Sequence, residues 1–209
     1  MLFRSATEVG GDYYDFYVAS NGALSLTIGD ATGHGAKAGT MVTVIKTLFS
    51  GYSGDMTPAA FLSSAAEKIK RMDLGRMAMA LSIARFDSDR LTVASAGMPP
   101  VLIHRASTGL VEELVLEATP LGTLGTDYKQ RSAPVGPRDT VLFMSDGLPE
   151  LTNESGQQLG YTASAEAFDV AARGGNAQEV LDRLVGFARK WHGDQPPNDD
   201  ITFVAVRLS

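Results

Sequence analysis

Four stretches of this chain set a carboxylate in a turn or at a strand end beside glycine or a second carboxylate: Gly11-Asp12, Gly29-Asp30, Ser145-Asp146-Gly147 and Asn198-Asp199-Asp200. Oxygen ligands of this kind, in a chain with no cysteine and no histidine pair at metal-binding spacing, select hard cations, Mg2+ or Mn2+, over zinc. Carboxylates gathered at one place repel and become partly protonated unless a cation neutralises them, so such a cluster has a physical reason to bind metal. Two divalent ions sharing one aspartate can hold a hydroxide for in-line attack on phosphorus. The chemistry these residues point to is metal-assisted hydrolysis.

The elements that must position them follow from periodicity. Residues Ala23 to Ile28 read as a strand, with Leu24, Leu26 and Ile28 on one face and Ser25 and Thr27 on the other, placing Asp30 at its exit. Gly33 and Gly35 then let the chain pass close to an ion or phosphate before a helical pattern opens at Ala36. The stretch Val9 to Val18 alternates as a second strand, joined through Ser20-Asn21-Gly22 in a hairpin. That pairing returns either Asp12 or Asp15 to the Asp30 end, depending on a register that sequence does not set.

Helices are expected over Ala36 to Phe49 and from Pro58, with Thr57 as its N-cap, to near Gly75. Short strands follow: Met77 to Phe86, Arg90 to Ser95, Val101 to His104, Leu110 to Leu116, Lys129 to Ala133 and Thr140 to Ser145. Asp87, Asp89 and Asp139 are read as turn residues. Two more helices, Thr162 to Ala172 and one opened by the capping box Asn176-x-x-Glu179 and ended at Gly193, precede a last strand, Ile201 to Leu208.

Composition narrows the classes. The 209 residues are 44% apolar, enough for a sizeable core, and no repeat or linker divides them, so one domain spanning 1–209 is expected. With 18 basic against 24 acidic residues and a formal net charge of −6, the chain lacks the basic footprint of a nucleic-acid binder. The absence of cysteine rules out thiol nucleophiles and disulfides and suits a cytoplasmic setting. No apolar run approaches a membrane span, so no membrane contact is expected of this domain. Its abrupt opening, reaching Gly10-Gly11-Asp12 almost at once, suggests a piece excised from a longer regulatory protein.

Taken in order, Val9-Gly10-Gly11-Asp12-Tyr13-Tyr14-Asp15, Gly29-Asp30-Ala31-Thr32-Gly33-His34-Gly35, Ser95-Ala96-Gly97-Met98-Pro99-Pro100, Phe143-Met144-Ser145-Asp146-Gly147 and Asn198-Asp199-Asp200-Ile201-Thr202 resemble the motifs of PPM-type metal-dependent serine/threonine phosphatases, in the bacterial SpoIIE-like and RsbU-like branch. The resemblance spans nearly the whole chain. It implies an α+β fold, a four-layer αββα sandwich of two mainly antiparallel sheets flanked by helices, with two Mn2+ or Mg2+ ions. By motif, Asp30 resembles the carboxylate shared by both ions and Ala31 the residue whose carbonyl is a ligand beside it. Asp146 and Asp199 resemble the second ion's ligands, and Asp12 the residue that holds metal-bound water. Asp200, counted here with the ligands, stands where many relatives outside this branch have Asn. The implied substrate is phosphoserine or phosphothreonine on a regulatory protein resembling an anti-sigma-factor antagonist, and the resemblance leaves room for a homodimer. Met98 departs from the histidine frequent in this branch, in a segment read as a structural turn. Arg4 lies where an arginine often precedes the Gly-Gly-Asp motif, and His34 is read as a turn residue as readily as a general acid. His104 and His192 show no candidate partner.

Three other readings fit the sequence less well. Gly33 to Gly39 invites nucleotide binding, but it misses the Gly-x-Gly-x-x-Gly spacing and lacks the Gly-Lys-Ser/Thr of a P-loop. A serine hydrolase would need a Gly-x-Ser-x-Gly elbow, which is absent. A catalytically silent signalling module of the same fold is disfavoured by the complete set of aspartates.

Overall fold

The computed structural model describes residues 2–4, 10–52, 54–193 and 199–209, the first three by backbone alone. Its strands are β1 (Leu2–Arg4), β2 (Asp12–Val18), β3 (Leu24–Ala31), β4 (Met79–Phe86), β5 (Arg90–Ala96), β6 (Val101–His104), β7 (Val111–Leu114), β8 (Gln130–Pro134), β9 (Thr140–Met144) and β10 (Ile201–Arg207). Its helices are α1 (Ala36–Ser50), α2 (Pro58–Met72), α3 (Gly160–Ala172) and α4 (Ala177–His192). The chain divides into two compact units, each with one wholly antiparallel five-stranded sheet and two helices. This is the α+β composition that the motifs implied. No described helix is long and apolar enough to cross a membrane.

The unit that carries Asp30 orders its sheet β2-β3-β4-β5-β8. Helix α1 packs on β2 and β3 and α2 on β4 and β5, burying Met41, Ile45, Phe49, Leu62, Ala65 and Ile69 against Tyr13, Ala31, Leu81, Ile83 and Ala94. Phe49 and Tyr52 stack with ring centroids 5.6 Å apart, and Phe61 meets both edge-on. Thr57 caps α2 by accepting the Ala60 N–H, with Pro58 at the first helical position. The helix stops at Met72, earlier than Gly75, because Asp73 takes a left-handed conformation, and Met72 itself is exposed.

The unit that carries Asp146 orders its sheet β1-β10-β9-β6-β7. Helix α3 packs on β6 and α4 on β10, closing Phe168, Val180, Leu181 and Leu184 over Leu102, Leu142, Met144 and Phe203. The capping box forms as the sequence predicts: the Asn176 side chain accepts the Glu179 N–H, and the Glu179 carboxylate accepts the Asn176 N–H. Strand β1 was not anticipated; it pairs with β10 from Leu2 opposite Phe203. His192 does have a partner, its Nδ1 lying 2.7 Å from the Thr152 carbonyl, while His104 Nε2 lies 3.7 Å from Asp169, beyond hydrogen-bond reach.

The aspartates read as turn residues are so. The Asp87 N–H bonds back to the Arg90 carbonyl across the β4–β5 hairpin. Asp139, 5% exposed, accepts N–H bonds from Ala106 at 2.9 Å and Gly136 at 3.1 Å and pairs with Arg105 at 3.0 Å. Burial alone would raise its pKa, but the two N–H donors and the guanidinium outweigh it and hold the carboxyl below its ordinary range. Asp139→Asn should therefore lower stability by about 2 kcal/mol at neutral pH. Because the folded-state pKa is depressed, the wild-type advantage is complete above the ordinary carboxyl pKa of about 4 and disappears as pH falls through the lowered value. Urea unfolding of both proteins from neutral to acidic pH measures the convergence.

Candidate functional site

The hairpin register decides between Asp12 and Asp15. Asp12 is the cross-strand partner of Asp30, whereas Asp15 lies opposite Thr27 and pairs with Lys46 at 3.6 Å. Strand β3 continues through Asp30 to Ala31 because β4 pairs with it to that end, Asp30 opposite Ala80 and Ala31 opposite Met79. Gly11 shows how closely the chain is drawn in here. Its carbonyl accepts the Ala31 N–H at 3.0 Å, and a Cβ at Gly11 would stand 2.5 Å from the Ala31 carbonyl oxygen and 2.8 Å from Asp30 Oδ1. Glycine is needed because the two groups named as ligands, the Asp30 carboxylate and the Ala31 carbonyl, come up against one point of the backbone. His34 is exposed in the turn that leads to α1.

The other unit builds a second acidic corner. Strands β9 and β10 are antiparallel neighbours, so the end of one, at Ser145-Asp146, adjoins the start of the other, at Asp199-Asp200. Ser145 stitches them: its N–H bonds to the Thr202 carbonyl at 3.1 Å, and its Oγ accepts the Thr202 N–H at 3.0 Å. Gly147 lies directly against the Asp200 carbonyl, leaving no room for a Cβ. Asp200 is buried and its N–H donates to Asp199 Oδ1 at 2.8 Å. Burial first, then the nearby charges of Glu150 and Asp199, raise the Asp146 carboxyl above its ordinary pKa.

Glu150 escaped the sequence reading. Its N–H bonds to the Asp146 carbonyl at 2.9 Å, one turn on, and Asp146-x-x-x-Glu150 directly after a strand is the pattern that would have revealed it. Tyr161 belongs to the same corner, its phenol pKa raised by burial and then by Asp146 and Glu150. Thus Asp12, Asp30 and the Ala31 carbonyl are brought together in one unit, and Asp146, Asp199 and Asp200 in the other. Among the described residues no three acidic or histidine side chains converge on a single point. The side chain of Arg4, and all of Asn198, lie outside the described residues.

The donors suit a hard divalent cation: every one is oxygen, and Asp12 and Asp30 face each other in a sheet where directly opposed like charges destabilise.

Comparison with known proteins places the chain in a family and a fold. Over 160 residues the chain is 26% identical to the phosphoserine phosphatase RsbU of Bacillus subtilis strain 168; the match takes in 72% of this chain and 46% of RsbU, so the chain spans about half the length of that relative. The SiaA-PP2C domain of Pseudomonas aeruginosa has the same fold, with a TM-score of 0.85 at 22% identity over 100% of this chain and 85% of that one. RsbX in complex with magnesium shares it too, with a TM-score of 0.72 at 16% identity over 100% of this chain and 92% of that one. The family model for stage II sporulation protein E (SpoIIE) matches residues 20–209, which takes in Asp30, Asp146, Asp199 and Asp200, and the chain belongs to the SpoIIE family.

Proposed function

We propose that residues 1–209 act as a single metal-dependent phosphatase domain of a longer, cytoplasmic regulatory protein and hydrolyse phosphoserine or phosphothreonine on a partner protein. The observation that carries this reading is the opposition of Asp12 and Asp30 with the Ala31 carbonyl beside them. Such a grouping is costly without a cation and well suited to one. The similarity to RsbU, a phosphoserine phosphatase, and to a magnesium complex of RsbX supports it.

In this reading the ligands to two Mn2+ or Mg2+ ions are Asp12, Asp30 and the Ala31 carbonyl from one unit, and Asp146, Asp199 and Asp200 from the other. When bound, the ions supply Lewis acidity and an activated water for in-line attack on phosphorus. The protein's own residues do the holding. Cross-strand pairing fixes Asp12 against Asp30, Ser145 ties the Asp146 turn to β10, and Gly11 and Gly147 admit backbone oxygen where a side chain would exclude it. Hydrolysis of this kind makes no demand for a shaped leaving-group pocket, so selectivity falls to docking of a folded partner, which resembles an anti-sigma-factor antagonist.

Activity on a phosphoserine protein should vanish with chelator and return with Mn2+ or Mg2+. Asp30→Asn and Asp146→Asn should keep the circular dichroism of the wild type and lose activity by about 10²- to 10³-fold. Full turnover by either variant at saturating metal would refute the ligand assignment, and a folded wild type that binds Mn2+ without turnover would identify a silent module. Gly11→Ala forces a methyl group onto the Ala31 carbonyl and Asp30, and should weaken Mn2+ binding by about tenfold in calorimetric titration. For substrate class, kcat/KM across a panel of phosphorylated regulatory proteins should exceed that for small phosphate esters; equal values would remove the protein-substrate assignment.

A further inference from the structure

We propose that His192, the last residue of α4, is a positioning residue for the Asp146 turn, acting through the Thr152 carbonyl on the segment that carries Asp146 and Glu150. The residue is 5% exposed, and its Nδ1 stands 2.7 Å from the Thr152 oxygen. A carbonyl can only accept, so Nδ1 carries the proton. Nε2 is buried with no hydrogen-bond partner among the described residues, so Nδ1 alone anchors the ring. The preceding residue does the same one position earlier: Trp191 donates Nε1 to the Leu151 carbonyl at 3.1 Å. Two successive side chains at the end of α4 thereby hold two successive carbonyls of the loop.

What they hold is short and stiff. Between Asp146 and Leu151 the chain bonds to itself, Glu150 N–H to the Asp146 carbonyl at 2.9 Å and Leu151 N–H to the Leu148 carbonyl at 3.1 Å. Its near end is fixed to β10 through Ser145 and Gly147, as described above, and its far end to α4 through Leu151 and Thr152. Clamped at both ends, the turn presents Asp146 in one place. Helix α4 is a firm reference for this, with its capping box at one end and Val180 and Leu184 in the core. A ligand has to be held within about 0.5 Å of its working position, and loss of an outer hydrogen bond that orients a ligand typically costs 10- to 100-fold in metal affinity.

The inference rests on the reading of Asp146 as a cation ligand, and two measurements separate them. Amide exchange at Glu150 and Leu151 in metal-free protein tests the clamp alone, and calorimetric Mn2+ titration tests its effect on the cation. His192→Leu should speed exchange at those two amides by about tenfold or more relative to Leu142 in β9, and weaken Mn2+ binding by about 10- to 100-fold. His192→Asn, whose amide nitrogen can take the place of Nδ1, should restore both to within about threefold of wild type. Asp139→Asn, destabilised at the opposite end of β9, should leave Mn2+ affinity unchanged. If His192→Leu does not fold, Trp191→Phe keeps an aromatic side chain and removes the indole N–H donor to Leu151, and should shift both readouts in the same direction. Wild-type exchange in a folded His192→Leu or Trp191→Phe protein would overturn the clamp. Faster exchange with unchanged Mn2+ affinity would reduce His192 to a packing role and overturn the proposal equally. A wild type that binds no Mn2+ while the variant exchanges faster would sink the cation reading and leave the clamp standing.

Discussion

The register that sets Asp12 directly across from Asp30 is the constraint on which the Asp30 unit depends. Two carboxylates directly across an antiparallel pair weaken the sheet they belong to, so the register that opposes them must be held by everything else. The hairpin turn does part of this, with the Ala19 N–H bonded to the Ala23 carbonyl and the Gly22 N–H to the Ala19 carbonyl. Buried Tyr13, Leu26 and Ile28 do the rest, because a slip of one residue would carry the β2 side chains to the wrong face. Asp15, three positions further along β2 and opposite Thr27, pairs instead with Lys46.

The Asp146 unit meets a related difficulty by different means. Its carboxylates come from turns, not from paired strands, and are packed tightly enough that Asp146 is pushed toward its protonated form. Main-chain stitching through Ser145 and the absence of a side chain at Gly147 force that proximity. In both units a glycine marks the point where a backbone oxygen must come within contact distance of the chain. The helices supply the weight behind these close arrangements: each buries an apolar face on its own sheet, and neither pair contributes an acidic ligand to the predicted set.

Much of this was legible in the sequence where local chemistry decides the outcome. Thr57-Pro58, Asn176-x-x-Glu179 and Ser20-Asn21-Gly22 name a cap, a capping box and a turn whose hydrogen bonds are made within a few residues. The aspartates were legible as candidates because glycine beside a carboxylate at a strand end has few other uses. What stayed hidden depends on distant partners. The choice of Asp12 over Asp15 is a matter of register, β1 exists only because β10 lies beside it, and β3 extends to Ala31 only because Met79 pairs there. Glu150 looks like any exposed acidic residue until the turn after β9 folds it back on Asp146. His192 is silent in sequence because its partner, Thr152, is 40 residues away.

The way the chain threads its two sheets also orders their formation during synthesis. The Asp30 sheet runs from β2 to β8, and all of its strands have been made by Pro134. The Asp146 sheet is threaded quite differently: β10, near the end of the chain, is the strand that both β1 and β9 pair with. Until β10 leaves the ribosome, β1 has no neighbour and β9 lacks one of its two, while the Asp30 sheet is free to close on itself. Non-local pairing of this kind is slow, so the Asp146 half is the later and more aggregation-exposed part of folding, and β10 is the strand whose arrival completes it.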